Sequence, residues 1–128
     1  YTVHLARLNG LYERFKPAAI VAEANSMGGP LVEFMRRSGL PVRPFTTTNA
    51  TKAQVIEALA LGFEQGAFQI IPDPVLIAEL QAYELERLPS GLIRYSAPSG
   101  MHDDTVIAAA LAYYAASAPP KRVRSREY

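Results

Sequence analysis

Three acidic residues stand out as candidates for metal-dependent chemistry. Asp103 and Asp104 are adjacent in MHDDT, directly before an alanine-rich segment that is expected to be a helix. Glu23 stands near the end of AAIVAEA, an almost wholly apolar run that is typical of a buried central strand. If the last helix packs beside that strand, Glu23 and Asp104 converge, and their oxygens suit Mg²⁺ or Mn²⁺. One or two such ions could activate water and stabilise the leaving oxygen of a phosphodiester.

The same carboxylates also have purely structural interpretations. An acidic residue at a helix start can serve as an N-cap and interacts favourably with the helix dipole, and a glutamate beyond a strand end can point into solvent. Burying a carboxylate there is costly unless it is paired, hydrogen-bonded or metal-bound. Because sites in open α/β sheets form outside the carboxyl ends of strands, Glu23 favours the functional interpretation. The remaining aspartate, Asp73, lies between two prolines and is expected to be a turn or helix cap.

Three further residues are candidates for supporting roles. His102, next to the aspartate pair, could be a general base or a metal neighbour, or it could cap the helix. Lys52 follows a loop rich in threonine at a helix start and could contact a phosphate, although a solvated lysine is the default interpretation. Arg43 has the same two interpretations.

Composition excludes several classes of protein. The chain has no cysteine, so disulfide scaffolds, Cys-ligated metal sites and thiol catalysis are excluded. It contains no phosphate-binding loop of the GxxxxGKS/T type, no GxSxG and no HExxH. No apolar run reaches the roughly 18–20 residues that a membrane span requires. An apolar fraction of 49% over 128 residues predicts a single domain with a core, or part of one.

Positive charge is concentrated at the carboxyl terminus. Residues 121–128 contain four basic residues and one acidic residue, a net of +3, while the preceding 120 residues contain nine basic and eleven acidic residues, a net of −2. Lys121, Arg122 and Arg124 could hold nucleic acid electrostatically. A solvated, frayed terminus explains the same residues.

Hydrophobic periodicity predicts helices alternating with strands, which is typical of an α/β fold with a partly parallel sheet. Helices are expected over 3–15, 30–37, 52–65, 75–86 and 103–117, and strands over 18–24, 41–45, 68–71 and 92–97. Thr51 or Asn49 is expected to cap the third helix. The strand at 92–97 is expected to pair with 68–71, which makes 68–97 an inserted hairpin with a helix between its strands.

Four segments, taken in this order, resemble the C-terminal nuclease domain of the large terminase subunit of tailed bacteriophages. They are VAEANSMGG at 21–29, RPFTTTNATKAQVIEAL at 43–59, GAFQIIPD with AELQAYE within 66–84, and RYSAPSGMHDDTVIAAALA at 94–112. The resemblance covers nearly the whole chain except the basic tail. Its specificity comes from the combination of a glutamate at a strand end, the pattern T-x₃-TK at a helix start, and HDD before an alanine-rich helix. No single one of these three would be specific.

The resemblance implies a ribonuclease H-like mixed sheet flanked by helices, with the first three strands absent from this chain. It implies cutting of double-stranded DNA with two divalent metals, Mg²⁺ or Mn²⁺. The second acidic ligand of the family falls on Glu23. The helix-borne acid falls on the aspartate pair, with Asp104 the direct ligand and Asp103 a second-metal or supporting ligand. Lys52 matches a recurrent lysine of the family.

The resemblance also implies a setting in genome packaging. The nuclease would follow an ATPase motor in the same polypeptide, and its partners would include the portal and the small terminase subunit. It would act in the host bacterial cytoplasm, with no membrane involved. Residues 1–118 would form a partial nuclease domain and 119–128 a flexible basic tail. Since the first residue is Tyr1 and not a methionine, and a helix is expected almost from the start of the chain, the chain is expected to be a piece of something larger.

One departure from the family pattern predicts low activity. The first strand of the family carries an aspartate that bridges both metals, and this chain has no aspartate before residue 73. We therefore expect weak metal binding and little or no cleavage by this chain alone. Two alternatives stay open: another ribonuclease H-like nuclease, such as a junction resolvase or a transposase-like enzyme, and a non-catalytic DNA-binding or docking module.

Overall fold

The computed structural model describes residues 2–25, 28–91, 93–98 and 100–117. Helices and strands alternate through most of this length, which confirms the expected mixed α/β class. In chain order the elements are α1 (Thr2–Phe15), β1 (Ile20–Glu23), α2 (Gly28–Arg37), β2 (Val42–Phe45), α3 (Asn49–Glu64), α4 (Pro74–Ala82), β3 (Glu84–Arg87), β4 (Ile93–Ser96) and α5 (Asp104–Ser117). None of the helices within the described residues is long and apolar enough to cross a membrane.

Strands β1 and β2 form a two-stranded parallel sheet in which Ile20 lies opposite Val42 and Glu23 opposite Phe45. Successive side chains of a strand point to opposite faces. Ile20 packs towards the cluster formed by α1, α2 and β2, whereas Val21 packs towards α3 and α5. Covering both faces explains why the run around β1 is continuously apolar. The side chain of Glu23, two residues after Val21, points to the same face of the strand as that of Val21. It therefore lies on the α5 side.

A cluster of buried side chains packs α2, which connects the two parallel strands, against β2. Its buried members are Val32, Met35, Leu40 and Val42. Helix α2 ends where Gly39 adopts a φ of 85°, a left-handed conformation that favours glycine. The amide of Leu40 then donates to the carbonyl of Met35 at 3.3 Å, so the chain turns back directly into β2.

The main core lies between α3 and α5. Its buried side chains are Val55, Ile56 and Leu59 from α3 and Val106, Ala110 and Leu111 from α5. Val55 and Val106 are each only 1% exposed, and full burial of a side chain of this size stabilises the fold by about 1.5–3 kcal/mol. The alanines of α5 allow its backbone to approach α3, so the two helices fix one another's position.

The expected strand at 68–71 is wrong, because this segment has no regular secondary structure. Strand β4 pairs instead with β3 in an antiparallel hairpin, with Glu84 opposite Ser96. Helix α4 consequently ends at Ala82 and not at residue 86. The physical reason is side-chain packing: the ring of Phe68 lies 5.4 Å from that of Phe63 and 5.0 Å from that of Tyr113, centroid to centroid, against the main helices.

Helix α3 begins at Asn49, three residues before the expected start, and its N-cap is Thr48 instead of Thr51 or Asn49. The hydroxyl of Thr48 accepts from the Thr51 amide at 3.1 Å, and the Thr48 amide donates to the Thr51 hydroxyl at 2.8 Å. This reciprocal capping box fixes the first turn. Asp73 caps α4 as expected, its carboxylate accepting from the Leu76 amide at 3.0 Å.

The contact of Gly62 in α3 with the ring of Tyr113 in α5 predicts a strong effect of one added methyl group. A Cβ on the buried residue Gly62 would lie 2.6 Å from Cζ of Tyr113. We expect Gly62→Ala to lower the free energy of unfolding by roughly 1–2 kcal/mol, because overpacking outweighs the gain in helix propensity. Denaturant unfolding measures this change.

Gly10→Ala is the matched control, because a Cβ at this helical glycine meets nothing within 4 Å. We expect it to stabilise the chain by about 0.5–1 kcal/mol. In a Tyr113→Leu background Gly62→Ala should lose its penalty. Equal effects of both glycine substitutions in the parent would contradict the packing argument.

Candidate active site

An open cleft of about 350 Å³ lies where the carboxyl end of β1 faces the N-terminus of α5. Its polar wall consists of Glu23, Thr47, Lys52, Asp103 and Asp104. Its apolar floor consists of Val21, Ile107, Ala108 and Leu111. The structure thus brings the three acidic residues singled out by the sequence to the walls of one cleft, together with the lysine at the start of α3.

Glu23 is exposed at the end of β1, so its carboxylate does not carry the cost of burial. The strand has ended at this point, and the cleft opens beyond it. The Thr47 hydroxyl donates to Oε1 of Glu23 at 2.6 Å. Asn25 holds Thr47 in place, because its side-chain amide both donates to the Thr47 carbonyl and accepts from the Thr47 amide, each at 2.9 Å. The loops after β1 and β2 are thereby tied together, which orients the Glu23 carboxylate.

Lys52 pairs with Asp103 across the cleft, Nζ to Oδ2, at 3.2 Å. The two side chains are only 22% and 26% exposed, so the default of a solvated lysine is wrong. Lys52 sits in the first turn of α3, where its amide donates to the Thr48 carbonyl at 2.9 Å. The start of α3 therefore decides where the ammonium lies, and the ammonium neutralises one of the three carboxylates.

Tyr83 borders the same ion pair, with Lys52 Nζ 5.9 Å from the centre of its ring. Its ring stacks on Tyr95 at 6.5 Å, centroid to centroid. The Tyr83 hydroxyl is buried and has no hydrogen-bond partner within the described residues. Burial, followed by the negative charge of Asp103, raises the pKa of Tyr83 well above its usual range, so the phenol stays protonated at neutral pH.

The aspartate pair starts α5. The carbonyl of Asp103 accepts from the amide of Ile107 at 3.0 Å, and Asp104 is an exposed residue of the first turn. A side-chain cap comes from a different helix, because the amide and hydroxyl of Thr105 donate to Oε1 of Glu79 at 3.0 and 2.7 Å. The side chain of Glu79 in α4 therefore caps the N-terminus of α5.

The other sequence candidates lie apart from the cleft wall. His102 is exposed beside the aspartates but does not line the cleft. Arg43 is exposed and lines a separate groove between α1, β1 and α5. Lys121, Arg122 and Arg124 lie outside the described residues.

Sequence reasoning missed Thr47, Tyr83 and Glu79. Thr47 lies in a hydroxyl-rich loop, and such loops are typical of helix caps. Tyr83 falls within the helix expected over 75–86, where an aromatic residue is typical of an apolar face. Glu79 gave no signal at all, since a glutamate in a helix is most often a solvated residue.

The donor chemistry of the cleft fits a hard divalent cation, because every candidate ligand is a carboxylate or hydroxyl oxygen. Glu23 and Asp104 are exposed to the cleft, and Asp103 already carries a cationic partner. Within residues 2–25, 28–91, 93–98 and 100–117, no three His, Asp or Glu side chains lie close enough together to hold a metal ion. The arrangement therefore offers ligands from two elements without enclosing an ion.

No family model matches the chain. Two curated proteins are similar to it: the large terminase subunits of Thermus phage G20c and Thermus virus P23-45, each 32% identical over 110 residues. Each alignment covers 85% of this chain and 23% of the relative. The chain thus spans less than a quarter of the length of the curated relatives it matches.

Solved structures of large terminase nucleases have the same fold. The nuclease of phage G20c with bound magnesium superposes with a TM-score of 0.78 at 31% identity, over 87% of this chain and 59% of that chain. The same nuclease with bound cobalt gives the same TM-score. The nuclease domain of Thermus phage P74-26 gives 0.76 at 30% identity, over 88% of this chain and 58% of that chain. These matches confirm the expected ribonuclease H-like class.

The Lys52–Asp103 pair predicts a measurable coupling energy. We expect a double-mutant cycle of Lys52→Met and Asp103→Asn to give roughly 1–3 kcal/mol, because both groups are largely shielded from water. Denaturant unfolding of the four proteins yields the coupling.

The exposed pair Lys16–Glu13, at 2.7 Å with side chains 60% and 70% exposed, is the matched control. Its cycle, with Lys16→Met and Glu13→Gln, should give at most about 0.5 kcal/mol. A coupling no larger for Lys52 and Asp103 would contradict the argument that shielding from water strengthens the cleft pair.

Proposed function

The chain is homologous to the large terminase subunit, and we propose that it is the nuclease part of a phage packaging enzyme, cutting double-stranded DNA with divalent metal ions. One observation carries this proposal beyond homology: Glu23, Asp103 and Asp104 line one cleft at the carboxyl end of a parallel strand. Ligand sites in open α/β sheets form at this place. The magnesium-bound and cobalt-bound nucleases of phage G20c support a divalent cation.

Glu23 and Asp104 would hold the metal directly, with Asp103 as a further or supporting ligand. Mg²⁺ or Mn²⁺ bound there supplies activation of water and compensation of charge on the departing oxygen of the phosphodiester. Thr47 occupies one oxygen of Glu23, which fixes the direction of the other. Lys52 keeps Asp103 oriented and places a positive charge at the wall of the cleft, where a phosphate would otherwise meet only carboxylates.

DNA would be held by a few local contacts, since the chain before residue 121 carries a net negative charge. We propose Lys52 at the cleft and Arg43 on the neighbouring groove as contacts within the described residues, with His102 beside the aspartates in a supporting role. Lys121, Arg122 and Arg124 would add sequence-independent attraction to the phosphate backbone. In the packaging setting, the ATPase motor of the same polypeptide, the portal and the small terminase subunit are the proposed partners, in the host cytoplasm.

The 128-residue chain by itself should bind metal weakly and cut little or not at all. The cleft wall offers three carboxylates, and Lys52 neutralises one of them. An additional aspartate of the kind that the family resemblance implies is missing before residue 73. We therefore propose that this chain binds a divalent metal ion only weakly.

Substitution of the two exposed carboxylates tests the metal site. We expect Glu23→Gln and Asp104→Asn each to weaken Mn²⁺ binding at least about tenfold, since even partners of metal ligands contribute that much. Paramagnetic broadening of amide signals during a Mn²⁺ titration detects weak binding residue by residue. Glu33→Gln is the control, because it removes the same charge from an exposed i,i+4 pair on α2.

Plasmid nicking in Mn²⁺ tests the activity. The assay compares the 128-residue chain with a version extended at the amino terminus to the length of the solved terminase nucleases. We expect cutting by the longer protein, and its loss in Glu23→Gln and Asp104→Asn. Cutting by both variants at the rate of the parent protein would contradict the assignment of this chain as a nuclease. Binding of duplex DNA without cutting would favour the docking module, and preference for branched junctions would favour a resolvase.

A further inference from the structure

Helix α5 receives its N-terminal cap from a separate helix. The first amides of a helix have no partner within it, and the cap is usually the side chain of the residue just before the first turn, with aspartate among the preferred types. Asp103 occupies that place. Yet the amide and hydroxyl of Thr105 both donate to Oε1 of Glu79, at 3.0 and 2.7 Å.

Because Glu79 caps α5, the carboxylate of Asp103 can take another role. Within the described residues, the Thr105 amide donates to Glu79 and not to the Asp103 carboxylate. Glu79 satisfies the Thr105 amide, and the Asp103 carboxylate instead meets Lys52 at 3.2 Å. With that donor satisfied, the preferred local role of an aspartate at a helix start no longer competes with the cleft.

Helix α4 is built so that Glu79 reaches this position. It begins at a fixed point, with Asp73 as N-cap and Pro74 in the first turn. The next residue after Glu79, Leu80, packs against the main core cluster that includes Val106 of α5. The Glu79 side chain is half-buried between the two helices, so its rotamer is confined, and the positive end of the α5 dipole favours its charge.

We propose that Glu79 is a positioning residue of the candidate site: by capping α5 it keeps Asp103 and Asp104 directed to the cleft. The proposal rests on the metal-dependent function proposed above. It assigns to the α4 segment a role in that site, although α4 contributes no residue to the cleft wall.

The test uses the ¹⁵N-labelled 128-residue chain with Glu79→Ala, Glu79→Gln and the control Glu13→Ala. Glu13 also lies in a helix and accepts one short side-chain hydrogen bond, at 2.7 Å from Lys16, away from the cleft. Two readouts are taken at a temperature where every variant is folded: metal-free hydrogen exchange of the Thr105 amide, and Mn²⁺ affinity from paramagnetic broadening around Glu23 and Asp104.

We expect Glu79→Ala to speed exchange at Thr105 at least about tenfold and to weaken Mn²⁺ binding about tenfold. Glu79→Gln keeps an acceptor oxygen and should retain most of the affinity, and Glu13→Ala should change neither readout. A purely stabilising Glu79 would lower the melting temperature without moving the affinity of the folded protein. If Glu79→Ala does not fold, Thr105→Val, which deletes only the 2.7 Å hydroxyl bond, should show the same pattern to a smaller extent.

The contrary outcomes separate the two proposals. If the parent shows no Mn²⁺ broadening at Glu23, Asp103 or Asp104, the metal site is wrong and the role of Glu79 is wrong with it. If the parent binds and Glu79→Ala binds equally well while Thr105 exchanges faster, only the positioning role is overturned. If Glu79→Gln is as weak as Glu79→Ala, the charge of Glu79 and not its capping geometry supports binding, which also overturns the proposal.

Discussion

The packing of α3 against α5 is the constraint on which the rest of this structure depends. The buried aliphatic side chains between the two helices set their separation, and a Cβ added at Gly62 would lie 2.6 Å from the ring of Tyr113. Lys52 stands at the start of one helix and Asp103 at the start of the other. Their ion pair is therefore a result of the core, since two side chains can meet across a cleft only where their backbones are already fixed.

Around this helix pair, several polar groups in and beside the cleft are held by neighbours from other parts of the chain. Asn25 and Thr47 tie the ends of the two parallel strands and orient Glu23. Glu79 caps α5 from α4. Such cross-element bonds cost little in the folded state, because core packing has already restricted the chain. They also concentrate negative charge at one helix N-terminus, where the dipole partly offsets the repulsion.

The cleft balances its charges incompletely. Lys52 compensates Asp103, whereas Glu23 and Asp104 stay exposed and lack a basic partner within the described residues. Both carboxylates line one cleft, and carboxylate oxygens are ligands that divalent cations such as Mg²⁺ prefer. The same excess of negative charge repels the phosphates of DNA, and Lys52 at the cleft wall offsets part of it.

The sequence by itself determined the type and order of most elements, the acidic residues of the cleft and the family. These follow from local signals: apolar periodicity, proline and glycine positions, and short motifs read along the chain. The alternation of side chains along a strand is enough to place Glu23 on the same face as Val21. Only the tertiary structure decided that Phe68 packs on helices and that β4 pairs with β3 and not with 68–71. It also decided that Lys52 is paired and that Glu79 caps α5. The contacts of Phe68 with Tyr113, of Lys52 with Asp103 and of Glu79 with Thr105 join residues far apart in the sequence, and local propensity carries no information about such contacts.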